Sequence, residues 1–460
     1  MSDNRIQVEN RLPGTTSWQL SQPAPGLADD GAARRFRTAV EGYASLSSVA
    51  PGGTIDLHVS TTSHSVQAQV FRMGWYGGTG GRLMTSLVRQ AGQLGAFPAA
   101  ALSDVNQIAC AWPVTWSLQI PRDWLSGVYL VKLQGIDAAG QAGPESYIIF
   151  VVRAAAGTPT RFLLQLSTFT WQLYNRWGGA SGYTGAGLVS FKRPYQAADS
   201  ATQAGGNGAG LFLTQYWDQH STDWGTSGLA NGCFGGWEYN MVRWLEREGY
   251  DVAYCANEDL VDPRTLDRVQ CLLSVGHDEY WTTDMFDAVT GAIKGGMSAA
   301  FLSGNTMYCR ILYDATTRHL EGKALMYGDA INAAPRTFTS GEPNRDTRLL
   351  LGTTFWKATT VGPGAGVYAR DLELRLSPDL GATWLLDGTS LAAGQSLGAL
   401  GGHEVNAQGP AELPPHFTPL IEYQNPNPAW GSTGSLPPWR DGQPDQPTTL
   451  LSGGFAEEYR

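Results

Sequence analysis

The residues best suited to chemistry in this sequence lie in one short run, His277–Tyr280, which directly follows an apolar stretch. An imidazole at His277 can act as a base or a metal ligand, a carboxylate at Glu279 can move protons, and a phenol at Tyr280 can ligate a metal or donate a hydrogen bond. The alternative is that one or two of these residues cap a helix beginning near Thr283, while the others bond the loop backbone. Open α/β sheets bind ligands at the ends of their strands, so position makes this run the leading candidate site.

Further candidates lie outside this run, and each has an ordinary structural alternative. Asn305 offers an amide that could hold a substrate carbonyl, although Asn after Gly is also common in turns. Tyr239, near the start of a predicted helix, is either part of the same site or a buried core tyrosine. Glu404 is either a carboxylate that transfers protons or a solvated loop side chain. The segment Arg72–Gly78, rich in glycine and aromatic residues, is either a binding loop or a structural turn.

The elements that would position these residues change in character near residue 155. Before it, short runs of alternating polar and apolar residues are separated by turns, a pattern typical of an antiparallel β-sandwich. The runs are Ile55–Ser60, Val66–Phe71, Trp116–Ile120, Val128–Leu133 and Ser146–Val152. We therefore predict an N-terminal extension over residues 1–37, an immunoglobulin-like sandwich over 38–155, a linker, and a second domain over 160–460.

A different pattern follows the linker. The continuous apolar run Arg161–Leu166 is typical of a strand in a buried parallel sheet. Helical spacing with glycine stops predicts helices over Trp237–Gly249 and Thr283–Lys294. They alternate with the predicted strands Val252–Cys255, Cys271–Val275 and Ser298–Leu302. This alternation predicts a doubly wound α/β domain, so the whole chain is expected to be a two-domain α+β protein. Predicted strands at Phe355–Thr360 and Leu372–Leu376 indicate a β-rich insertion.

Composition narrows the possible partners and compartments. The chain has 460 residues, of which 42% are hydrophobic and 16% charged, and this length favours two cores. A net charge of −10, with lysine and arginine scattered singly, argues against nucleic acid and anionic membranes as partners. The N-terminus lacks the apolar stretch of a signal peptide, which predicts a cytoplasmic protein, although a start at a cleavage site would allow secretion. The five cysteines contain no CxxC pair, which favours buried thiols over zinc binding.

Several motifs in combination resemble the C-terminal part of the large (beta) subunit of N,N-dimethylformamidase. They are Glu41–Tyr43, Phe71–Gly78, Thr170–Asn175, Glu238–Leu245, Val275–Trp281 and Leu302–Asn305. Together they cover most of residues 38–310. The resemblance implies a glutamine-amidotransferase-like fold for the α/β domain.

The resemblance also implies a mononuclear non-haem iron, held by two tyrosines and one glutamate, that acts as a Lewis acid in the hydrolysis of a formamide. Tyr280 matches one tyrosine ligand, and Tyr239 is assigned as the second. The glutamate has no match. Asp329 lies in the segment where it is expected, and Glu342 lies further on. Glu404 resembles a second glutamate that would suit a general base. Hard phenolate and carboxylate oxygens suit Fe(III), which strongly acidifies a bound water.

The first predicted function is therefore an amidohydrolase that cleaves a small amide with a metal-activated water. Asn305 or His277 would stabilise the developing oxyanion, and Glu279 or Glu404 would carry the proton to the leaving amine. We expect a small-molecule amide as the partner, and a homo-oligomer is compatible with the sequence. A second candidate is a catalytically silent binding protein for carbohydrate or another macromolecule, which the 16 tryptophans favour. A hydrolase related to glutamine amidotransferases would need a cysteine in a tight strand-to-helix turn, and none is so placed.

Overall fold

The structure is a computed structural model of the protein. Among the residues that it describes, strands outnumber helices and form several separate sheets, so the architecture is α+β. The structure describes residues 3–27, 37–98, 107–155, 157–182, 186–196, 207–213, 236–321, 338, 345–351, 354–358, 372–377, 386–401, 404–407, 417–423 and 450–456. Within these ranges, no helix combines the length and the hydropathy needed to cross a bilayer.

The first eight strands form two sheets. They are β1 (Val40–Ala44), β2 (Ser48–Val49), β3 (Thr54–Thr61), β4 (Ser65–Met73), β5 (Gly81–Ala91), β6 (Trp116–Gln119), β7 (Gly127–Ile136) and β8 (Ala142–Val152). One sheet has the order β2-β8-β7-β4-β5 and the other the order β1-β3-β6. Neighbouring strands are antiparallel except for β2 and β8. Alternate residues such as Leu57, Trp116, Val70, Val131 and Phe150 meet in one core between the sheets, as the period-two pattern predicts.

The opposite face of the five-stranded sheet is also buried. Phe71, Leu130 and Ile149 alternate with the residues of the first core, and they belong to a second core together with Leu164 and Leu273 from the later part of the chain. The central strands are therefore apolar on both faces. As a result, this sheet packs directly on the parallel sheet that follows it.

The parallel sheet contains the four strands that the alternating pattern predicts. The elements of this region are β9 (Thr160–Leu166), α2 (Thr168–Tyr174), β10 (Leu188–Ser190), α3 (Trp237–Arg247), β11 (Val252–Ala256), β12 (Val269–His277), β13 (Tyr280–Trp281), α4 (Thr283–Lys294) and β14 (Ser298–Gly304). The sheet order is β11-β9-β12-β14 with all pairs parallel. Because the chain order reverses at β9, the carboxyl ends of β9 and β12 border a crevice of the kind that binds ligands.

Shorter elements complete the described chain. They are β15 (Cys309–Arg310), β16 (Tyr313–Asp314), β17 (His319–Glu321), α5 (Thr347–Leu351), β18 (Thr354–Ala358), β19 (Leu372–Leu376), β20 (Ser396–Gly401), β21 (Glu404–Ala407), β22 (Phe417–Tyr423) and β23 (Leu450–Ala456). Strands β20, β19, β22 and β23 form an antiparallel sheet in that order. The strand predicted at 372–376 is confirmed, and the one predicted at 355–360 begins and ends slightly earlier.

The N-terminal extension is tied to the parallel half of the chain. Its helix α1 (Arg5–Glu9) begins at Asn4, whose side chain accepts hydrogen bonds from the first turn in a capping box. The Asn4 amide also donates to the Gly249 carbonyl oxygen at 2.7 Å. Arg5 pairs with Asp251 at 2.8 Å. These contacts hold α1 against the end of α3.

Arg72 joins the antiparallel half of the chain to α3. Its guanidinium forms two hydrogen bonds with the Glu246 carboxylate, Nη2 to Oε1 at 2.7 Å and Nη1 to Oε2 at 3.0 Å. Both side chains are fully buried. Tyr254 and Asn10 each donate to the same carboxylate at 2.9 Å. Arg72 of the segment Arg72–Gly78 therefore contributes an internal ion pair, as the structural alternative expects.

Candidate functional site

The loop between β12 and β13 carries the predicted polar run to the crevice. His277 is the last residue of β12, and Tyr280 is the first of β13. Helix α4 is capped by Thr282, whose Oγ1 accepts from the Met285 amide at 3.2 Å. Because Thr282 performs the capping, the polar run is not needed for it and its side chains are available for other contacts.

Three buried side chains converge beside this loop. The Tyr174 hydroxyl donates to Glu279 Oε2 at 2.7 Å and lies 3.0 Å from His277 Nε2. The imidazole Nε2 lies 3.3 Å from the same carboxylate oxygen. The three residues are only 3%, 5% and 5% exposed. A phenol, an imidazole and a carboxylate thus share a protected space at the carboxyl end of the parallel sheet.

Tyr174 is a candidate site residue that the sequence does not single out. It is the last residue of α2, which begins two residues after β9 ends. A side chain on a short helix directly after a central strand must lie near the strand's carboxyl end. The motif Thr170–Asn175 contains Tyr174, so its position in that motif was the available signal.

Tyr280 lies next to this group. Its ring is fully buried, and its centroid lies 6.4 Å from that of Tyr174 in an edge-to-face arrangement. The backbone amide of Glu279 donates to Thr170 Oγ1 at 3.1 Å, and Cys309 Sγ lies 3.7 Å from Glu279 Oε1. These contacts fix the loop against α2.

Asp278 is held by a separate set of partners. Gln165 Nε2 and Ser274 Oγ donate to its Oδ2 at 2.6 Å and 2.8 Å, and Asn257 Nδ2 lies 3.3 Å from its Oδ1. Complete burial raises the pKa of Asp278, and these hydrogen bonds oppose the rise. The carboxylate therefore binds the ends of β9, β11 and β12 together.

Asn305 lies in a turn, and its side-chain amide is buried. Its φ of 54° is the left-handed geometry of a turn. Its Oδ1 is buried and accepts no hydrogen bond from the described part of the chain. The Met307 amide donates to the Asp278 carbonyl oxygen at 2.9 Å, which joins the Asn305 turn to the loop after β12. The amide of Asn305 is thus a buried polar group beside the predicted run.

Tyr239 has the surroundings of a core tyrosine. It lies on α3, its ring centroid is 5.9 Å from that of Trp18 and 5.7 Å from that of Phe212, and its hydroxyl accepts from Arg243 at 3.2 Å. Burial raises its pKa. These neighbours differ from those seen for the Tyr174 group, and they match the structural alternative for Tyr239.

The remaining predicted ligands and acids are only partly covered by the structure. Glu404 begins β21, and its backbone pairs with Ala358 of β18. Asp329 and Glu342 lie outside the described residues, as does Cys233. Cys110, Cys255 and Cys271 are free thiols. Across the described ranges, no three His, Cys, Asp or Glu side chains cluster as metal ligands. Any metal site there must therefore use other donors as well, such as tyrosine.

Arg193 fixes the end of α2, the helix that carries Tyr174. Its guanidinium donates to four backbone carbonyls and one side-chain oxygen. The acceptors are the carbonyls of Gln172, Asn175, Trp177 and Ala180 and the Oε1 of Gln172, at 2.7–3.2 Å. All five N–H donors are used, and two of them bond the carbonyls of Gln172 and Asn175 at the end of the helix. Burial lowers the pKa of Arg193 to about 10.

A cavity of about 240 Å³ lies beside Tyr174. We call it the site cavity; its lining residues are Trp171, Tyr174, Asn175, Tyr195, Gln196, Gly210 and Leu211. The space is small, and most of the residues that line it are aromatic or apolar.

Glu238, on the first turn of α3, is a buried carboxyl close to this cavity. Trp171 Nε1 donates to its Oε1 at 3.1 Å, while its Oε2 accepts no hydrogen bond from any described residue. Burial raises its pKa from the ordinary 4.5 to about 7, and the charge of Asp278 adds to the rise. The folded protein therefore holds a proton that the unfolded chain releases at lower pH.

We expect the free energy of unfolding to fall as pH rises from 4.5 to about 7, because the folded protein holds this proton more tightly than the unfolded chain does. The folded state binds more protons than the unfolded chain in this window, so the loss is absent below it and complete above it. The loss should be on the order of 3 kcal/mol. In urea unfolding across this range, the free energy of unfolding should fall more steeply with pH for wild type than for Glu238→Gln, whose side chain at position 238 is neutral at every pH. Equal pH slopes for the two proteins would refute the assignment.

Comparison with known proteins identifies the family of the chain. No curated protein matches it. Three solved structures have some similarity: a cellulose-active polysaccharide monooxygenase from M. thermophila, a family 76 glycoside hydrolase from a bovine Bacteroides thetaiotaomicron strain, and a family 123 glycoside hydrolase from Clostridium perfringens. Their identities are 15%, 14% and 9%, and their TM-scores are 0.15, 0.17 and 0.13.

The matched regions cover 25%, 37% and 62% of this chain and 56%, 29% and 52% of those chains. The chain thus spans about half or less of each structure's length, and the TM-scores are too low to inform fold or function. Residues 67–435 match the family described as N,N-dimethylformamidase beta subunit-like, C-terminal. This match covers well over half of the 460 residues and confirms the resemblance drawn from the motifs, and the chain belongs to that family.

Proposed function

We propose that the protein is a metal-dependent amidohydrolase that cleaves a small amide with a metal-activated water. Family membership supports the reaction class. The observation that carries the proposal is the convergence of the Tyr174 hydroxyl, His277 Nε2 and Glu279 Oε2 within 2.7–3.3 Å of one another. This group borders a crevice and a small cavity, where a substrate amide would be bound.

The donors of this group fit a hard metal ion. Tyr174 and Glu279 offer a phenolate and a carboxylate oxygen, and His277 offers an imidazole nitrogen. The three donor atoms lie 2.7–3.3 Å from one another, so one ion could contact all three once Tyr174 has given up its proton. Iron held there would supply Lewis acidity and lower the pKa of a bound water.

This ligand set differs from the one that the resemblance implies. Tyr239 has contacts of a core residue, with Trp18 and Arg243, and Asp329 lies outside the described residues. We infer that Tyr174, His277 and Glu279 together take the places assigned to Tyr239, Tyr280 and Asp329. Tyr280, whose ring lies beside that of Tyr174, stays the alternative source of a phenolate.

Other side chains would bind the substrate and move its protons. Asn305 can donate to the substrate carbonyl oxygen through Nδ2, and its unsatisfied Oδ1 can accept from the amide nitrogen. With Glu279 as a ligand, Glu404 becomes the carboxylate expected to carry the proton to the leaving amine. The burial of the Tyr174 group excludes bulk water and strengthens these interactions.

We also propose a fold for each half of the chain and a cytoplasmic location. Two antiparallel sheets around one core support an immunoglobulin-like sandwich over 38–155. A four-stranded parallel sheet with its order reversed at β9 supports a doubly wound, glutamine-amidotransferase-like domain within 160–460, with the later strands as the β-rich insertion. A cytoplasmic location and a small amide as the partner remain predictions from the sequence.

The colour of the iron-loaded protein tests the ligand assignment. Phenolate bound to Fe(III) should give a visible charge-transfer band, and Tyr174→Phe should remove this band and lower the iron content measured by elemental analysis. Tyr280→Phe and Tyr239→Phe are matched controls, because each removes one hydroxyl from a buried tyrosine. Both controls should keep the band and a normal far-ultraviolet circular dichroism spectrum.

Two results would contradict the assignment. If Tyr280→Phe loses the band and Tyr174→Phe keeps it, the phenolate comes from Tyr280. If the protein is colourless, free of metal and no more stable with added iron, the metal site is wrong, because a ligand that binds only the native state must stabilise it. That second result would favour the silent binding protein.

A further inference from the structure

Two residues line both the site cavity and a larger space. A second cavity of about 450 Å³ lies at the seam between the antiparallel sheets and α2, and we call it the seam cleft. Residues of β1, β8 and α2 line it. Trp171 and Tyr195 line both the seam cleft and the site cavity. These two aromatic side chains therefore form the wall between the two spaces.

The two halves of this wall differ in how firmly they are held. Trp171 is buried on α2 and donates through Nε1 to Glu238 Oε1 at 3.1 Å. The ring of Tyr195 meets that of Trp171 nearly at right angles, with centroids 6.2 Å apart. Tyr195 is only partly buried. Removing the Tyr195 ring should therefore open the wall, whereas removing Trp171 would also disturb a buried carboxyl.

The seam cleft is suited to apolar groups rather than to charged ones. Ile149, Phe150 and Phe191 contribute to its lining. Arg193 also borders it, but all five of its N–H donors already bond oxygens of the chain. Arg318, the other cation there, donates to Ser45 and Ser47 and lies 3.6 Å from Glu258. An alkyl chain would fit such a space better than an anion would.

We propose that Tyr195, supported by Trp171, limits the size of the amide that the protein accepts. In wild type, the Tyr195 ring closes the site cavity, so that only short substituents fit beside Tyr174. Once the ring is removed, a longer apolar substituent of the substrate extends into the seam cleft. This inference rests on the proposed function, because it takes the site cavity as the place where the amide binds.

Tyr195→Ala tests the proposal through the binding of two formamides of different length. Calorimetric titration should show that the variant binds N-hexylformamide at least about tenfold more tightly than wild type, since each buried methylene contributes about fourfold. Its affinity for N-methylformamide should change less than about threefold. Tyr195→Leu, which keeps part of the wall, should give a smaller gain and guards against misfolding of the alanine variant.

Tyr250→Ala is the matched control for truncating a partly buried tyrosine. Tyr250 packs on Phe162 and Trp244 and lines neither cavity, so it should bind both formamides as wild type does. A selective gain in Tyr250→Ala, or equal changes for both formamides in Tyr195→Ala, would overturn the proposal.

A probe without an amide separates failure of this proposal from failure of the proposed function. Thermal unfolding with 1-hexanol should show greater stabilisation of Tyr195→Ala than of wild type or Tyr250→Ala, because hexanol needs only the joined apolar space. If hexanol stabilises Tyr195→Ala more than wild type but neither formamide binds, Tyr195 does close off the seam cleft and the proposed amide function is wrong. If formamides bind wild type but Tyr195→Ala gains nothing from either long ligand, the wall is wrong and the function stands.

Discussion

Arg72→Met should lower the free energy of unfolding by about 3–5 kcal/mol, because it leaves the Glu246 carboxylate buried without its cation. Both partners are completely buried, and the guanidinium makes two hydrogen bonds to the carboxylate, at 2.7 Å and 3.0 Å. Tyr254 and Asn10 still donate to Glu246 in the variant, but neither supplies positive charge. Urea unfolding of wild type and variant measures the difference.

Three further variants make this result specific. Arg72→Lys should recover only part of the loss, because an ammonium cannot reproduce the planar two-bond contact. The double variant Arg72→Met with Glu246→Leu should be more stable than Arg72→Met alone, since an apolar pair leaves no buried charge. Arg5→Met breaks a partly exposed pair with Asp251 and should cost only about 0–1 kcal/mol. A loss below about 1 kcal/mol for Arg72→Met would contradict the structural role.

The same experiment decides what the segment Arg72–Gly78 does. If the segment is a binding loop, Arg72→Met should lower the affinity for the ligand and leave the free energy of unfolding nearly unchanged. If Arg72 anchors β4 to α3, Arg72→Met should lower the free energy of unfolding first. Because α3 also carries Glu238 beside the crevice, movement of the helix would then reach the site indirectly.

The sequence predicted those elements whose signals are local. Helix α4 was predicted over its observed span, because the apolar spacing is followed directly by Gly295 and Gly296. The parallel strands were predicted because continuous apolar runs are typical of buried parallel sheets. No α-helix connects β11 to β12, and the short 3-10 helices Asn257–Val261 and Pro263–Leu266, which the sequence does not predict, lie between them.

Helix α2 could not be predicted from periodicity. All seven of its residues are buried, so it has no polar face and no amphipathic pattern. Its threonine and aromatic residues also favour strands when they are considered locally. For this reason the sequence does not predict Tyr174 as a site residue, although the place of its neighbours His277 and Glu279 after a strand predicts them.

The sequence does not predict side-chain contacts between distant segments either. The Arg72–Glu246 pair joins residues 174 positions apart, and the Tyr174–Glu279 hydrogen bond joins residues 105 apart. A sequence pattern reports which face of an element is apolar, but not which two polar groups meet across a core. Tyr239 illustrates the limit: its position on α3 was predicted, whereas its packing against Trp18 depends on where the N-terminal extension lies.

If the proposed function is right, Glu279→Gln should lower kcat/KM for a small formamide by about a thousandfold or more, equivalent to about 4 kcal/mol of transition-state stabilisation. The substitution keeps the shape of the side chain and an acceptor for the Tyr174 hydroxyl, but it removes the negative charge that a hard metal ion requires. Stability should therefore change by less than about 1 kcal/mol. Steady-state kinetics and urea unfolding on the same preparation provide both measurements.

Glu41→Gln is the matched control, because Glu41 is as buried as Glu279 and lies in another motif of the family resemblance. Glu41 accepts from Trp177 Nε1 at 2.8 Å and from Arg37 Nε at 2.9 Å. It should show the opposite result, a loss of stability with unchanged kcat/KM per folded molecule, because the substitution weakens the hydrogen bonds from Trp177 and Arg37, which hold the fold and take no part in the reaction. If both variants lose activity equally after correction for the folded fraction, Glu279 acts only through folding, and the site must be sought elsewhere in the crevice.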